Sequence, residues 1–307
     1  ITSLVSKKSW WFRVFMMDAD IIEKYRTAGR ILSQVMAQAG PRVKTGASLL
    51  DVAEFVEEAI KSKGGQPAFP CNISLDRIAA HYTPAPGELS TFGENMVKLD
   101  IGVHVDGYIA DAAITIDLGG HDKLVQASRA ALDAALETIG PGIDTADIGK
   151  TIEETINGYG YRPVYNLTGH GLSRYQAHDL PAIPNRAMER GTVLKPGDVI
   201  AIEPFATDGP GRISEGPVNE IYGLSGSRPV RLAAARLLLK EIMDKYRTLP
   251  FARRWLKGDR AEYALMQLLR SGAVHRYPVL WEAEGALVSQ AEHTVLILED
   301  GCEVITR

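Results

Sequence analysis

Two apolar runs joined by Asp106-Gly107 constrain this chain more than any other feature. They read NMVKLDIGVHV before the turn and YIADAAITIDL after it. An Asp-Gly pair between such runs predicts a β-hairpin with a two-residue turn. Residues then pair so that their numbers sum to 213, which sets Asp111 opposite Gly102 and Asp100 opposite Ala113. Positions 100 and 102 share a face, so both aspartates point to one side, a diagonal step apart. Their small partners, Gly102 and Ala113, leave room above the strands. Carboxylates crowded in this way repel unless a cation or a shared proton lies between them. The alternative is that both are solvated on the outer face of an edge hairpin.

Three further residues bear on that choice. Glu203 interrupts the apolar run VIAI, and Glu292 sits in QAEHTVLIL. An acidic side chain inside an apolar strand is costly unless it is paired or metal-bound. His170 lies between glycines in TGHG, which lets other groups approach its ring closely. Taken singly, each is equally a salt-bridge partner or a surface residue. Together they supply four carboxylates and one imidazole, enough to neutralise two divalent cations. Oxygen-rich donors of this kind favour manganese, iron, cobalt or zinc over copper.

The rest of the chain is ordinary globular material. Its 307 residues suffice for one large domain or two modest ones, and 23% charged residues exclude neither. A net charge of -4 argues against a general nucleic-acid binder. No run of eighteen apolar residues exists to span a membrane. Cys71 and Cys302 are far apart and form no CxxC pair, which fits a reducing compartment. Residues 1–17, ITSLVSKKSWWFRVFMM, lack the apolar stretch and cleavage site of a signal peptide. They are expected to be a leader or non-native extension; a native amphipathic extension is the other reading.

Periodicity predicts helices from Asp18 to Ala39, from Ser48 to the Gly64-Gly65 stop, over 121–138 and over 145–158. Ser48 with Asp51 three residues on reads as a capping box, and Asp144-Thr145 as a helix entry. Segment 69–84 reads as a short extended piece with loops. Further strands begin near Tyr161 and include VIAIEPFATDG (199–209). Each half thus leads into an apolar strand with a carboxylate, a weak sign of internal duplication. Between 220 and 278 the character turns helical and basic, which predicts a helical insertion. The chain returns to strand over 286–300, closing the main sheet.

The segments AFPCNISLDRIAAHYTP, KLDIGVHVDGYIADAA, NLTGHGLSRYQAH, AIEPF and AEHT stand here in that order. In order and spacing they resemble the type II methionine aminopeptidases over residues 18–307. The resemblance implies an α+β pita-bread fold, a pseudo-twofold antiparallel sheet flanked by helices. Its helical insertion subdomain would be residues 220–278, within a catalytic domain of residues 18–307. It implies two divalent ions, cobalt, manganese, iron or zinc, held by Asp100, Asp111, His170, Glu203 and Glu292. Asp111 and Glu292 would bridge the ions, Asp100 would be bidentate on one, and His170 and Glu203 would complete the other.

The implied activity is removal of the N-terminal methionine from nascent proteins, with a small second residue preferred. Water or hydroxide between the ions would be the nucleophile, with Glu203 as general base and proton shuttle. His178 would hydrogen-bond the substrate carbonyl, and His81 would contact the scissile peptide or the leaving amine. Phe69 and Ala177 would line the methionine pocket. This chain departs from the family at Ala177, usually a larger aliphatic, and at Ala291, usually an aromatic. The resemblance gives His104 no role, and His293 points away from Glu292, so both read as structural.

Two rivals share the fold. X-Pro peptidases have the same five ligands but lack the HYTP segment and this placement of the insertion. Relatives that have lost their ligands bind ribosomes or nucleic acid, and Arg231, Arg236, Arg253, Arg254 and Lys257 would suit RNA. Intact ligands argue for catalysis, and a solvated basic face accounts for the arginines. The absence of a lysine-rich N-terminal tail fits an archaeal-style minimal enzyme. It is expected to be a cytoplasmic monomer working near ribosomes, with no DNA or membrane partner.

Overall fold

The computed structural model describes residues 17–226 and 228–307, so the expected leader lies outside the described residues except for Met17. Helix α1 (Ala19–Ala39) opens on Asp18, whose side chain accepts from the Asp20 amide at 3.1 Å. It buries Tyr25, Ala28, Leu32, Val35 and Ala39, spaced three and four apart as one apolar stripe requires. Helix α2 (Leu49–Ser62) is capped by Ser48, which accepts from the Asp51 amide as the spacing predicts. Strands β1 (Gln66–Pro67), β2 (Asn72–Leu75) and β3 (Ile78–Ala80) follow, and then the hairpin β4 (Met96–Val105) and β5 (Tyr108–Asp117). The hairpin register is the expected one throughout, with Asp100 opposite Ala113 and Gly102 opposite Asp111. Asp106 and Gly107 take φ of 52° and 88°, the left-handed pair that this tight turn needs.

Helices α3 (Asp122–Thr138) and α4 (Thr145–Gly158) begin the second half. Behind them come β6 (Arg162–Pro163), β7 (Thr168–Ser173), β8 (Gln176–Pro184), β9 (Val199–Ile202) and β10 (Phe205–Thr207). Strand β11 (Ser214–Glu215) leads into the block expected to be a helical insertion. That block is not helical throughout. Strands β12 (Ile221–Leu224), β13 (Phe251–Ala252) and β14 (Val274–Tyr277) form a three-stranded sheet beside helices α5 (Ala233–Lys245) and α6 (Ala261–Ser271). Strands of two to four residues are too short for alternation to register in a sequence, whereas the two helices are not. The block has its own apolar cluster around Tyr222, Leu238, Ile242, Phe251, Leu265 and Leu268. After β15 (Leu280–Trp281) the chain re-enters the main body as β16 (Val288–Gln290), β17 (His293–Leu298) and β18 (Gly301–Val304).

Two sheets carry the architecture, each with its own helix pair and core. Helices α1 and α2 cover β4 and β5, while α3 and α4 pack toward β9 and β17. The second sheet runs β18-β17-β9-β7-β8. A seam joins the halves. The Thr294 hydroxyl takes both the amide and the carbonyl of Asp111, each at 2.7 Å. The Thr115 hydroxyl does the same for Gln290, at 2.6 and 2.8 Å. Between them the Glu292 amide donates to the Ala113 carbonyl at 3.0 Å.

The block of residues 220–278 is tied to the main body by a buried ionic knot. Glu57 on α2 meets the Arg254 guanidinium, the Trp255 indole N–H (2.7 Å) and the Cys71 amide (3.2 Å). Arg254 also donates to Thr83 Oγ1 at 2.7 Å. Burial pushes the Glu57 carboxyl up, and Arg254 opposes that shift. Arg254→Ala would strand the buried carboxylate and is expected to cost about 3–5 kcal/mol. The double variant Glu57→Leu/Arg254→Met should lose much less. Urea unfolding of the three proteins checks this, and an Arg254→Ala cost below about 1 kcal/mol, typical of exposed pairs, would refute it.

Candidate metal centre

The site forms where strands break. Strands β9 and β17 pair with His293 opposite Ile202, and β10 and β16 pair with Gln290 opposite Phe205. The same register runs through both pairings, so of the skipped positions, 203–204 and 291–292, residue 203 faces residue 292. Glu203 and Glu292 therefore sit side by side at coincident interruptions of neighbouring strands, not inside continuous ones as their apolar flanks suggest. The Glu203 carbonyl is held by Asn185 Nδ2 at 3.2 Å. The seam through Thr294 then brings Asp111 against Glu292.

His170 comes from β7. Its Nδ1 lies 3.2 Å from the Gly171 carbonyl, an acceptor, so this nitrogen carries the proton and Nε2 keeps its lone pair. Nε2 points at Glu203 Oε1 (3.5 Å) and Asp111 Oδ2 (4.0 Å). The flanking glycines serve the neighbouring strands more than the ring. A Cβ at Gly169 would stand 2.3 Å from the Ala201 carbonyl oxygen, and one at Gly171 2.0 Å from that of Leu180. Atoms of Asp111, His170 and Glu292 all lie within 4.8 Å of one another. Asp100 joins them from β4, where Asn72 Nδ2 donates to its Oδ2 at 3.3 Å. Asp100 and Asp111 are thus turned inward, which removes the alternative of two solvated residues on an outer face.

The electrostatics of this arrangement are severe. Burial pushes the Asp100 carboxyl up to about 7. Asp111, Glu203 and Glu292 are also raised well above the usual carboxylate range, by burial and then by the charges of neighbouring carboxylates, Asp100 acting on all three. Asp100 Oδ1 and Asp111 Oδ1 are buried without a hydrogen-bond partner.

Around the carboxylates lies a cavity of ≈ 210 Å³. His81 stands in its wall at φ 66°, with Nδ1 3.2 Å from the Pro278 carbonyl. Burial and His178 bring its pKa down to about 4, so it is neutral at pH 7 with Nε2 as acceptor. The His178 ring centre is 4.6 Å from that of His170. Phe69 fills the room expected above Gly102, where a Cβ would stand 2.2 Å from its ring. Ala177 is buried in the first core cluster and is not among the cavity-lining residues. Ala291 faces the second core cluster, so its small size changes core packing and not the cavity wall. His104 accepts from the Gly107 amide and His293 bonds Thr306, both outside the cavity lining.

The sequence reading missed Asn72, Tyr277 and Gln290. Gln290 was open to the rule that singled out Glu292, being a polar residue in the same apolar strand. Tyr277 enters the cavity from the insertion with Ile221 and Pro250, and no local pattern marks it.

The profile of metallopeptidase family M24 matches residues 23–234. The chain is 50% identical over 291 residues to a methionine aminopeptidase of Archaeoglobus fulgidus, covering 94% of this chain and 99% of that one. Among solved structures, a thermophilic Arx1 superposes with a TM-score of 0.85 at 19% identity, over 94% of this chain and 91% of the other. The methionine aminopeptidase of Thermotoga maritima superposes at 0.71 and 23% identity, over 95% and 98%. The pita-bread fold expected from the sequence is the fold observed.

The side chains present fit a divalent metal. Inward carboxyl oxygens without partners and an imidazole with a free lone pair are hard donors of the required kind, the carboxyls giving up their protons to the ion. Each raised carboxyl contributes stability that is present below its unfolded value of about 4 and is lost as pH climbs through the folded one. For Asp100 that upper limit is about 7. The metal-free protein should therefore weaken from pH 4 toward 7 at this site, and Mn²⁺ should release protons on binding. The Mn²⁺-induced rise in Tm is expected to be larger at pH 8 than at pH 5, and the reverse order would refute this account.

Proposed function

The chain belongs to metallopeptidase family M24, among its methionine aminopeptidases, and we propose that the cavity bounded by Asp100, Asp111, His170, Glu203 and Glu292 is its active site. The enzyme removes N-terminal methionine in a metal-dependent reaction. The observation that carries the assignment is the inward convergence of four carboxylates, Asp111 and Glu292 buried and Asp100 and Glu203 partly buried, and of His170 Nε2 on one small space.

Two divalent ions match the charge of four carboxylates. Asp100, Asp111, His170, Glu203 and Glu292 would hold them. When bound, the ions polarise a carbonyl oxygen and bring the acidity of water toward neutral pH. The protein's own groups do the rest. Burial and the charge of Asp100 hold the Glu203 carboxyl well above the usual carboxylate range, as suits a group that takes a proton from water and returns it to the leaving amine. His81, protonated at Nδ1, offers Nε2 as an acceptor to the scissile peptide N–H. His178 offers an N–H to the carbonyl oxygen as negative charge develops there. Phe69 and Phe205 supply the apolar wall against which a methionine side chain packs. Ala177, behind that wall, would influence it through packing.

The insertion, residues 220–278, closes the cavity on one side through Ile221, Pro250 and Tyr277. A small cavity walled on that side suits a single terminal residue, as an exopeptidase requires. The substrates are the N-termini of newly made proteins, with a small second residue where the chain leaves the cavity. Free Cys71 and Cys302 support a reducing, cytoplasmic setting, and the same reading takes the enzyme to be a monomer working near ribosomes. Among the described residues no helix is long and apolar enough to cross a membrane.

Chelator-stripped protein should release methionine from Met-Ala-Ser when Mn²⁺, Co²⁺, Fe²⁺ or Zn²⁺ is titrated in, and should spare an Xaa-Pro peptide. Glu203→Gln is expected to lower kcat by about 10²–10⁴-fold. His178→Ala should lower it by about 10²–10³-fold. Tight binding of two ions without turnover under any metal would overturn the assignment.

A further inference from the structure

Gln290 is the last residue of β16 and almost wholly buried. It shares a face with Glu292, two positions on, and by register with Glu203 across the strand pair. Its Nε2 donates to Glu203 Oε2 and to Glu292 Oε2, both at 3.3 Å. Its own Oε1 is buried with no partner. A flipped amide would set a carbonyl oxygen against two carboxylates, so the two acceptors decide its orientation.

This arrangement is unusual in what it leaves unsatisfied. Like charges directly opposite each other on neighbouring strands repel. A cation relieves that repulsion only on the cavity side. On the far side the one group that touches both carboxylates is the Gln290 amide, whose two N–H bonds match two acceptors. It secures one oxygen of each glutamate and turns the other toward the cavity, where Glu203 Oε1 faces His170 Nε2 at 3.5 Å. An apolar side chain of the same length would avoid the orphaned carbonyl but would release both glutamates.

We infer that Gln290 is a positioning residue for the metal centre: its carboxamide spans Glu203 and Glu292 from behind and presents their remaining oxygens to the ions. The inference rests on the assignment of those glutamates as ligands. It extends that assignment to a residue outside the cavity lining, which meets neither ion nor substrate.

Gln290→Met keeps the length of the side chain and removes both donors. Chelated wild type, Gln290→Met and Ser289→Ala are compared by thermal unfolding and by Co²⁺ titration followed through the visible absorption of the bound ion. Ser289→Ala is the fold control, because its hydroxyl bonds the Leu124 carbonyl on the other face of the strand. Gln290→Met is expected to unfold cooperatively, to bind Co²⁺ about 10–100-fold more weakly, and to show an altered Co²⁺ spectrum. Ser289→Ala should lower Tm and leave both affinity and spectrum as in wild type. If Gln290→Met does not fold, Gln290→Asn, which keeps the amide but cannot span both glutamates, is expected to show the same loss. Wild-type affinity and spectrum in the folded variant would overturn the inference alone. Failure of wild type to bind Co²⁺ would instead overturn the metal centre itself.

Discussion

Everything at the centre of this protein depends on the seam between its two half-sheets. Three backbone positions of β5 meet three of the β16–β17 segment, and two threonine hydroxyls bridge where strand hydrogen bonds do not. A hydroxyl that both donates and accepts can serve one residue's N–H and C=O together, which a direct strand pairing at that spacing would not. The result is a rigid junction that places Asp111 against Glu292. Without it, the two carboxylates would not face one another across a space whose concentrated charge calls for a cation.

The cost of this concentration of charge is distributed through the fold. Glu203 and Glu292 occupy interruptions of strands, where the backbone is already released from regular pairing and the side chains can turn inward. Glycines at 169 and 171 let β7 lie close against the Ala201 and Leu180 carbonyls, so that His170 reaches the carboxylates. The chain therefore spends local regularity, and not core packing, on the site. The helices beneath remain ordinary amphipathic elements with capped ends.

Much of this was legible in the residues. The hairpin register, and with it the diagonal placement of Asp100 and Asp111, follows from one Asp-Gly turn, because side-chain alternation leaves no freedom once the turn is set. Helix limits were equally legible where a cap or glycine marks them, as at Ser48 and at Gly40-Pro41. The coincidence of the two breaks was not. It depends on β9 pairing with β17 across about ninety residues of chain, and no local pattern specifies such a register. Gly102 illustrates the same limit. Its smallness was read as space above the strand, whereas Phe69, thirty-three positions earlier, occupies that space.

The insertion shows how a long-range contact changes what a site can do. Its helices were visible in the sequence, but its contribution to the cavity comes from strand ends and a loop: Ile221, Pro250 and Tyr277. Those residues lie on a unit with a separate core, fastened to the main body through the buried Glu57–Arg254–Trp255 knot. That knot also engages Cys71 and Thr83, which bracket the segment containing Asn72 and His81. Anchoring the insertion and ordering one wall of the cavity are thus served by the same few hydrogen bonds. A hinge between the two units would have to break a buried ion pair, which low-dielectric surroundings make expensive. Docking of this block therefore fixes one wall of the cavity, through Ile221, Pro250 and Tyr277, by the same buried contacts that hold the block in place.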